Sequence, residues 1–183
     1  MKKLLYNGIA ACLFLGLMQS CAEKQDLNQY DNLQITPVTA ASVVYLESPE
    51  SEINDANAAV YYSADLNFDA FQEKFITENL LDGVMTYEVE NTTSKDLELL
   101  LEFIDAAGNV LDTELFTINA APTGILRRET AYGGASGKSI DIIKNTSGIR
   151  VTGRNLGDTT SVSGLPDPKI ILRSSAAFRI RLK

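Results

Sequence analysis

The chain has 183 residues, of which 45% are hydrophobic and 22% charged, and its formal net charge is −8. These values are typical of a globular protein and exclude collagen-like and wholly disordered chains. The sequence has no His and only two Cys, Cys12 and Cys21, which excludes imidazole-based catalysis, His-ligated metals and a disulfide-rich scaffold. No serine-lysine signature appears, and solvent-facing strand positions explain the paired carboxylates Glu88/Glu90 and Glu98/Glu102. We expect a protein that is not an enzyme and that carries no metal or other cofactor.

The first residues are typical of an export signal. Lys2 and Lys3 precede an apolar run from Ile9 to Met18, which suits a signal-peptide core and is too short to span a bilayer. Residues 17–21 read Leu-Met-Gln-Ser-Cys. A small residue directly before a Cys at this point resembles the lipobox of bacterial lipoproteins, and the segment is similar in style to lipoproteins of the Bacteroidetes. The resemblance implies cleavage before Cys21 and acylation of Cys21.

The lipobox resemblance also implies where the protein resides and how the chain is divided. It implies export and attachment to the outer membrane through lipid on Cys21, on either the periplasmic or the surface-facing leaflet. Two or three acyl chains hold a protein firmly, whereas a single chain binds only reversibly. Residues 1–20 are then a signal peptide, residues 21–33 a lipidated polar tether, and residues 34–183 a single β-sandwich domain. The alternatives are an ordinary secretory signal with an incidental Cys, or a buried amino-terminal helix.

Strand-like runs of alternating or β-branched apolar residues follow one another along the rest of the chain. They cover Ser42–Leu46, Ala58–Phe68, Met85–Val89, Leu97–Phe103, Val110–Ile118, Ile125–Tyr132, Ile149–Leu156, Ile170–Arg173 and Phe178–Leu182. In the last run Phe178, Ile180 and Leu182 should face the core. Short helices are expected from Asp69 to about Leu80, and over Ile140–Asn145 behind a Ser139 cap.

About eight or nine such strands, separated by turn signals, predict a mainly β protein. Its fold class is an antiparallel immunoglobulin-like β-sandwich with one or two short helices. Residues 84–118 contain a strand, an Asn-Thr turn, a strand, an Asp-x-x-Gly hairpin and a third strand. This order resembles late-embryogenesis-abundant type-2-like and related immunoglobulin-like sandwiches. The resemblance implies a fold and no particular site.

Charge is divided unevenly along the chain. Residues 21–120 have a net charge of −17, and residues 121–183 have a net charge of +7. The favoured interpretation is that strands from the two parts lie side by side, so that opposite charges face one another. The alternative is a basic patch that binds anionic glycans such as lipopolysaccharide. Its candidate residues are Arg127, Arg128, Lys138, Lys144, Arg150 and Arg154. Export and a negative net charge both oppose a nucleic-acid partner.

Two motifs look like ligand-binding loops but predict turns. Residues 133–139 read Gly-Gly-Ala-Ser-Gly-Lys-Ser, one residue too short for the loop whose N–H groups wrap phosphates. We expect a Gly-rich turn and no nucleotide partner. Asp105, Asn109 and Asp112 offer oxygens to calcium, but they lack the alternating spacing of calcium loops. Asp-Ala-Ala-Gly-Asn is ordinary hairpin chemistry, so no metal site is predicted there.

These observations favour a lipid-anchored, non-catalytic cell-envelope protein of structural, adaptor or binding type. Its partners would be the membrane, through Cys21, and envelope proteins or anionic glycans. The alternative is a carbohydrate-binding lipoprotein of an outer-membrane uptake system, in which Tyr61, Tyr62 and Tyr132 are the candidates for stacking on sugars. Asp158-Thr159-Thr160 matches the acceptor pattern of O-glycosylation in the Bacteroidetes, which implies Thr159 as a glycosylated residue.

Overall fold

The computed structural model describes residues 34–56, 59–68, 73–121 and 124–182. The predicted signal peptide, Cys21 and the predicted tether lie outside the described residues. So do residues 69–72, the predicted first turn of a helix. No helix within the described ranges is long and apolar enough to cross a membrane.

Eight strands and three short helices follow one another through the described residues. The strands are β1 (Val38–Pro49), β2 (Val60–Asn67), β3 (Leu80–Asn91), β4 (Leu97–Ile104), β5 (Val110–Ile118), β6 (Leu126–Gly133), β7 (Gly148–Asn155) and β8 (Lys169–Ile180). The helices are α1 (Glu50–Asp55), α2 (Lys74–Asn79) and α3 (Ile140–Asn145).

The strands described form two four-stranded antiparallel sheets. Sheet A has the order β1-β8-β3-β6, and sheet B has the order β2-β7-β4-β5. The first strand pairs with the last, the second with the seventh, the third with the sixth, and the fourth with the fifth. This nesting is that of one long hairpin rolled into two sheets, the jelly-roll arrangement. The predicted antiparallel β-sandwich with short helices is confirmed, and the strand order specifies its connectivity.

The core fills the space between the two sheets, because alternate residues of each strand point inward. Large apolar side chains from both sheets are completely shielded from solvent there. They include Met85, Tyr87, Leu97, Leu99, Leu101, Phe103, Phe116, Ile149, Val151, Ile170 and Leu172.

The last strand differs from the sequence prediction. The two predicted runs, Ile170–Arg173 and Phe178–Leu182, belong to one strand, β8. The residues between them are two Ser and two Ala, which give no hydrophobic signal. The strand continues through them because β1 and β3 both pair with it there. Phe178 and Ile180 face the core as predicted, whereas the prediction for Leu182 is wrong, since Leu182 lies beyond the strand and is 51% exposed.

The helices and turns follow local chemistry. Ser139 caps α3 as predicted, with its Oγ accepting the Asp141 N–H at 3.2 Å. The helix predicted to reach Leu80 ends at Asn79, and Leu80 begins β3. Helix α1 was not predicted, because Ile53 is its one buried apolar residue and no periodic pattern marks it.

The hairpin predicted between β4 and β5 is confirmed. Asp105 Oδ1 accepts the backbone N–H groups of Ala107 and Asn109, each at 2.8 Å. The Asn109 amide donates to Asp105 Oδ2 at 2.9 Å. The carboxylate is therefore occupied by the turn itself.

One glycine is required by close packing in sheet A. Gly83 on β3 lies opposite Phe178 on β8. A Cβ added at Gly83 would lie 2.1 Å from a carbon of the Phe178 ring. The ring thus occupies the space that any larger residue would need.

We expect Gly83→Ala to lower the free energy of unfolding by about 1–3 kcal/mol, because the core must shift to admit the methyl group. Urea unfolding of the parent and the variant measures the difference. Gly164→Ala is the control, since a Cβ added there meets nothing within 4 Å. Equal stability of the two variants would contradict this account of the packing.

Candidate functional site

The six basic residues predicted as an anion-binding patch do not share one surface. Arg127 projects from the outer face of sheet A, beside Glu88. Arg150 and Arg154 alternate with buried residues of β7 and project from the outer face of sheet B. Lys144 lies in α3. Arg128 and Lys138 approach each other at the edge of the sandwich, where both contact Glu114.

The outward Arg residues of β7 pair with carboxylates on the neighbouring strands. Arg150 Nε lies 2.8 Å from Asp65 Oδ1 on β2, and its Nη1 lies 3.9 Å from Glu102 on β4. Arg154 Nη1 lies 3.3 Å from Glu98, its register partner on β4. The hydrogen bond from Arg150 lowers the pKa of Asp65. The interpretation that opposite charges of the two chain halves face one another is confirmed on this face.

Sheet A carries the same kind of pairing. Arg127 Nη1 lies 3.0 Å from Glu88 on β3, and its Nη2 lies 2.9 Å from Glu129 on its own strand. These two carboxylates raise the pKa of Arg127, first through the hydrogen bond to Glu129. Further pairs join β8 to β1 and β3: Lys169–Glu47, Arg173–Glu90 and Arg179–Asp82.

A charged cluster closes the sandwich where the edge strands β5 and β6 of the two sheets meet. Glu114 of β5 is buried. Its oxygens lie 3.2 Å from Arg128 Nη1 and 3.0 Å from Lys138 Nζ, and Thr130 Oγ1 donates to it at 2.8 Å. Lys138 Nζ also lies 2.7 Å from Asp112. Charged side chains that point inward along an edge protect it from pairing with another chain.

The Gly-rich turn after β6 brings Lys138 into this cluster. Gly133 and Gly134 have left-handed φ angles of 76° and 68°, as such a turn requires. Gly133 N–H donates to Lys138 C=O at 2.7 Å, and Lys138 N–H donates to Ala131 C=O at 2.9 Å. Burial alone would lower the pKa of Lys138, but hydrogen bonds to Asp112 and Glu114 raise it. The predicted turn is confirmed.

Tyr132 belongs to the same cluster and is completely buried. Its hydroxyl donates to Asp112 Oδ2 at 3.0 Å, and burial, followed by the nearby Tyr87 and Asp112, raises its pKa. The prediction of Tyr132 as a residue that stacks on sugars is therefore wrong. Tyr61 and Tyr62 on β2 are half-buried, and the Tyr61 ring packs against Gly153.

Two buried charged side chains hold the loop between β7 and β8, which spans residues 156–168. Lys95 is 1% exposed, and its Nζ donates to Asp158 Oδ1 at 2.9 Å and to Ser161 C=O at 2.7 Å. Glu50 is 2% exposed and accepts Ser163 N–H at 2.8 Å. Because both groups contact this loop, its backbone is fixed to the end of the sandwich.

Asp158 is the centre of this arrangement. Besides Lys95, its Oδ1 accepts the backbone N–H groups of Thr160 at 2.7 Å and Ser161 at 2.6 Å. Hydrogen bonds from Ser161, then from Lys95 and Thr160, hold the pKa of Asp158 far below its usual range. Thr159, the predicted glycosylation residue, is exposed on this loop, while the adjacent carboxylate is turned back toward Lys95.

The residues that hold the loop were not predicted as a group. Lys and Glu side chains are rarely buried unless they are paired, so a Ser-Lys-Asp turn is normally interpreted as surface. One signal was present in the sequence, since Lys95 is one of three basic residues between positions 21 and 120. Glu50 lies more than 100 residues before its partner Ser163, and sequence spacing does not indicate such a contact.

No family model matches the chain, and no curated protein matches it. The infectious bursal disease virus VP2 subviral particle is similar in fold at 8% identity and a TM-score of 0.39, over 79% of this chain and 32% of that chain. A Bacillus endospore appendage pilus protein is 9% identical with a TM-score of 0.37, over 81% and 92% of the two chains. The chain therefore spans about a third of the VP2 chain.

We expect Glu50→Gln to lower the free energy of unfolding at neutral pH by about 1–3 kcal/mol, because a buried hydrogen-bonded carboxylate is lost. Burial alone would raise the pKa of Glu50, but hydrogen bonds from Ser94 and Ser163 and the charge of Lys95 lower it from 4.5. A carboxyl whose pKa is lower in the folded state stabilises the fold above the unfolded pKa, and this contribution disappears as pH falls.

The difference between parent and Glu50→Gln should therefore shrink as pH falls below 4.5, the ordinary pKa of this carboxyl. Urea unfolding at pH about 7 and at pH about 3 measures it. Glu52→Gln is the matched control, because Glu52 is an exposed residue of the same helix. A difference that is the same at both pH values would contradict the role given to the Glu50 carboxylate.

Proposed function

We propose that the protein is a lipid-anchored, non-catalytic cell-envelope protein of structural, adaptor or binding type. The observation that carries the proposal is the Leu-Met-Gln-Ser-Cys sequence that ends at Cys21. On this proposal the chain is exported, cleaved before Cys21, acylated there and held at the outer membrane as a Bacteroidetes-type lipoprotein.

The arrangement of charged groups supports a binding or structural role for the sandwich. Glu50, Glu114 and Lys95 are buried, and each has fixed partners that hold strands or loops together. The loop that carries Thr159 is presented on this rigid scaffold, as binding loops commonly are. Its exposure also supports Thr159 as a modification site. A protein partner in the envelope is favoured over an anionic glycan, because the six basic candidates are dispersed and five have carboxylate partners.

The carbohydrate-binding alternative has less support from side-chain exposure. Of its three aromatic candidates, Tyr132 is buried, and Tyr61 and Tyr62 are half-buried. Tyr45 is 59% exposed on the outer face of sheet A, and among the described tyrosines it is the exposed ring that this alternative could use.

Metabolic labelling with a clickable fatty acid tests the anchor. We expect the parent to incorporate label and to need detergent for release, because its acyl chains insert into the membrane. Cys21→Ala should lose the label and remain unprocessed. Cys12→Ala is the matched control and should keep the label, since Cys12 precedes the cleavage point. Equal label in Cys21→Ala and the parent would contradict the proposal.

A further inference from the structure

The first five residues of β1, Val38–Ser42, are exposed on both faces of sheet A. We call these residues the β1 edge segment. The strand lies at the edge of its sheet, and among the described strands β8 is its one partner. Val38 is 68% exposed. The segment is therefore open to solvent above, below and along its free edge.

The backbone of the β1 edge segment presents a regular ladder of hydrogen-bonding groups. Ile180 N–H donates to Pro37 C=O at 3.1 Å. Because residues of an antiparallel pair alternate between facing the partner strand and facing away, the N–H and C=O groups of Val38, Ala40 and Ser42 point away from β8. Such unpaired groups form a template on which another strand can add.

The other three edge strands carry charged side chains along them, whereas the β1 edge segment carries none. Asp112 and Glu114 point inward from β5, and Arg128 points inward from β6 toward them. On β2, Asp65 projects at the edge and binds Arg150. The β1 edge segment reads Val-Thr-Ala-Ala-Ser and so lacks the charges that protect edges from pairing.

The ladder has defined limits. Strand β1 begins at Val38, directly after Pro37, whose backbone faces β8 rather than the free edge. This start of the strand limits the ladder on one side. The register shift between Ser42 and Val44 marks an irregularity that ends it on the other. The available residues are symmetric about Ala40. When two copies of this short, uncharged segment run antiparallel, the hydrogen-bonding groups of one copy face those of the other. A pair related by a twofold axis uses the same surface on both copies, so the assembly stops at two.

We propose that two copies of this chain pair through their β1 edge segments, antiparallel about a twofold axis at Ala40. Ala40 then lies opposite Ala40 of the partner subunit, and Val38 lies opposite Ser42 of the partner subunit. Three residues on each copy exchange about six backbone hydrogen bonds, and the two A sheets join into one continuous sheet.

The side chains of the two paired segments are small and uncharged, so no like charges lie opposite each other between the strands. The short segment buries little area, so the pair is weak and depends on protein concentration. The pairing does not rest on the lipid anchor, although confinement to one membrane would raise the effective concentration.

Cysteine crosslinking of the purified full-length chain tests the register. Under mild oxidation Ala40→Cys should form a disulfide-linked dimer, because facing residues in such a ladder lie at a distance that a disulfide spans. A mixture of Val38→Cys and Ser42→Cys should crosslink more than either variant alone. Ala106→Cys, in the exposed hairpin between β4 and β5, and the parent set the background from incidental collisions and native cysteines.

A charge introduced at the same point gives a second measurement. Ala40→Lys should lose the concentration-dependent dimer seen by sedimentation, because two ammonium groups would face each other across the axis. Ala106→Lys should keep it, and both variants should melt close to the parent. Three results would each overturn the proposal. The first is a dimer that persists in Ala40→Lys, and the second is a Val38→Cys variant that crosslinks to itself more than the mixture of Val38→Cys and Ser42→Cys does. The third is an Ala40→Cys variant that crosslinks no more than Ala106→Cys.

Discussion

Antiparallel pairing between the first and second parts of the chain is the constraint on which the rest of the structure depends. Sheet A alternates acidic β1, basic β8, acidic β3 and basic β6, and sheet B places basic β7 between acidic β2 and β4. The exception within the described sheets is the adjacent pair β4 and β5, in which both strands are acidic. There, Glu98 and Glu102 of β4 point outward to Arg154 and Arg150. The charged residues of β5 point inward to the cluster at the edge.

Burial of the core and pairing of charges have different roles in this fold. The inner faces of both sheets are apolar, and their removal from water supplies most of the stabilisation. Each exposed ion pair contributes only about 0–1 kcal/mol. The pairs instead favour one strand order and one register, since a slip by one residue would move Arg150 away from Asp65 and turn Val151 out of the core.

The strands were predictable because the alternation of apolar and polar residues indicates which face of a strand is buried. The cap of α3 was predictable because Ser139 accepts a hydrogen bond from a residue two positions along the chain. The strand order was not, because it is decided by pairings between residues far apart in sequence. The middle of β8 was also not predictable, because its small residues give no hydrophobic pattern. The sequence indicated that the charges of the two parts would meet, but not that Lys95 and Glu50 are buried, since their partners come from a distant loop.

The central claim is that opposite charges on neighbouring strands stabilise this arrangement, and a charge exchange at Glu98 and Arg154 tests it most directly. These residues face each other in the register of β4 and β7, and Glu98→Arg with Arg154→Glu keeps the net charge of the parent. The account predicts that each single reversal lowers the free energy of unfolding by about 0.5–1 kcal/mol and that the double variant recovers most of the loss. A double variant whose loss equals the sum of the two single losses would contradict the claim.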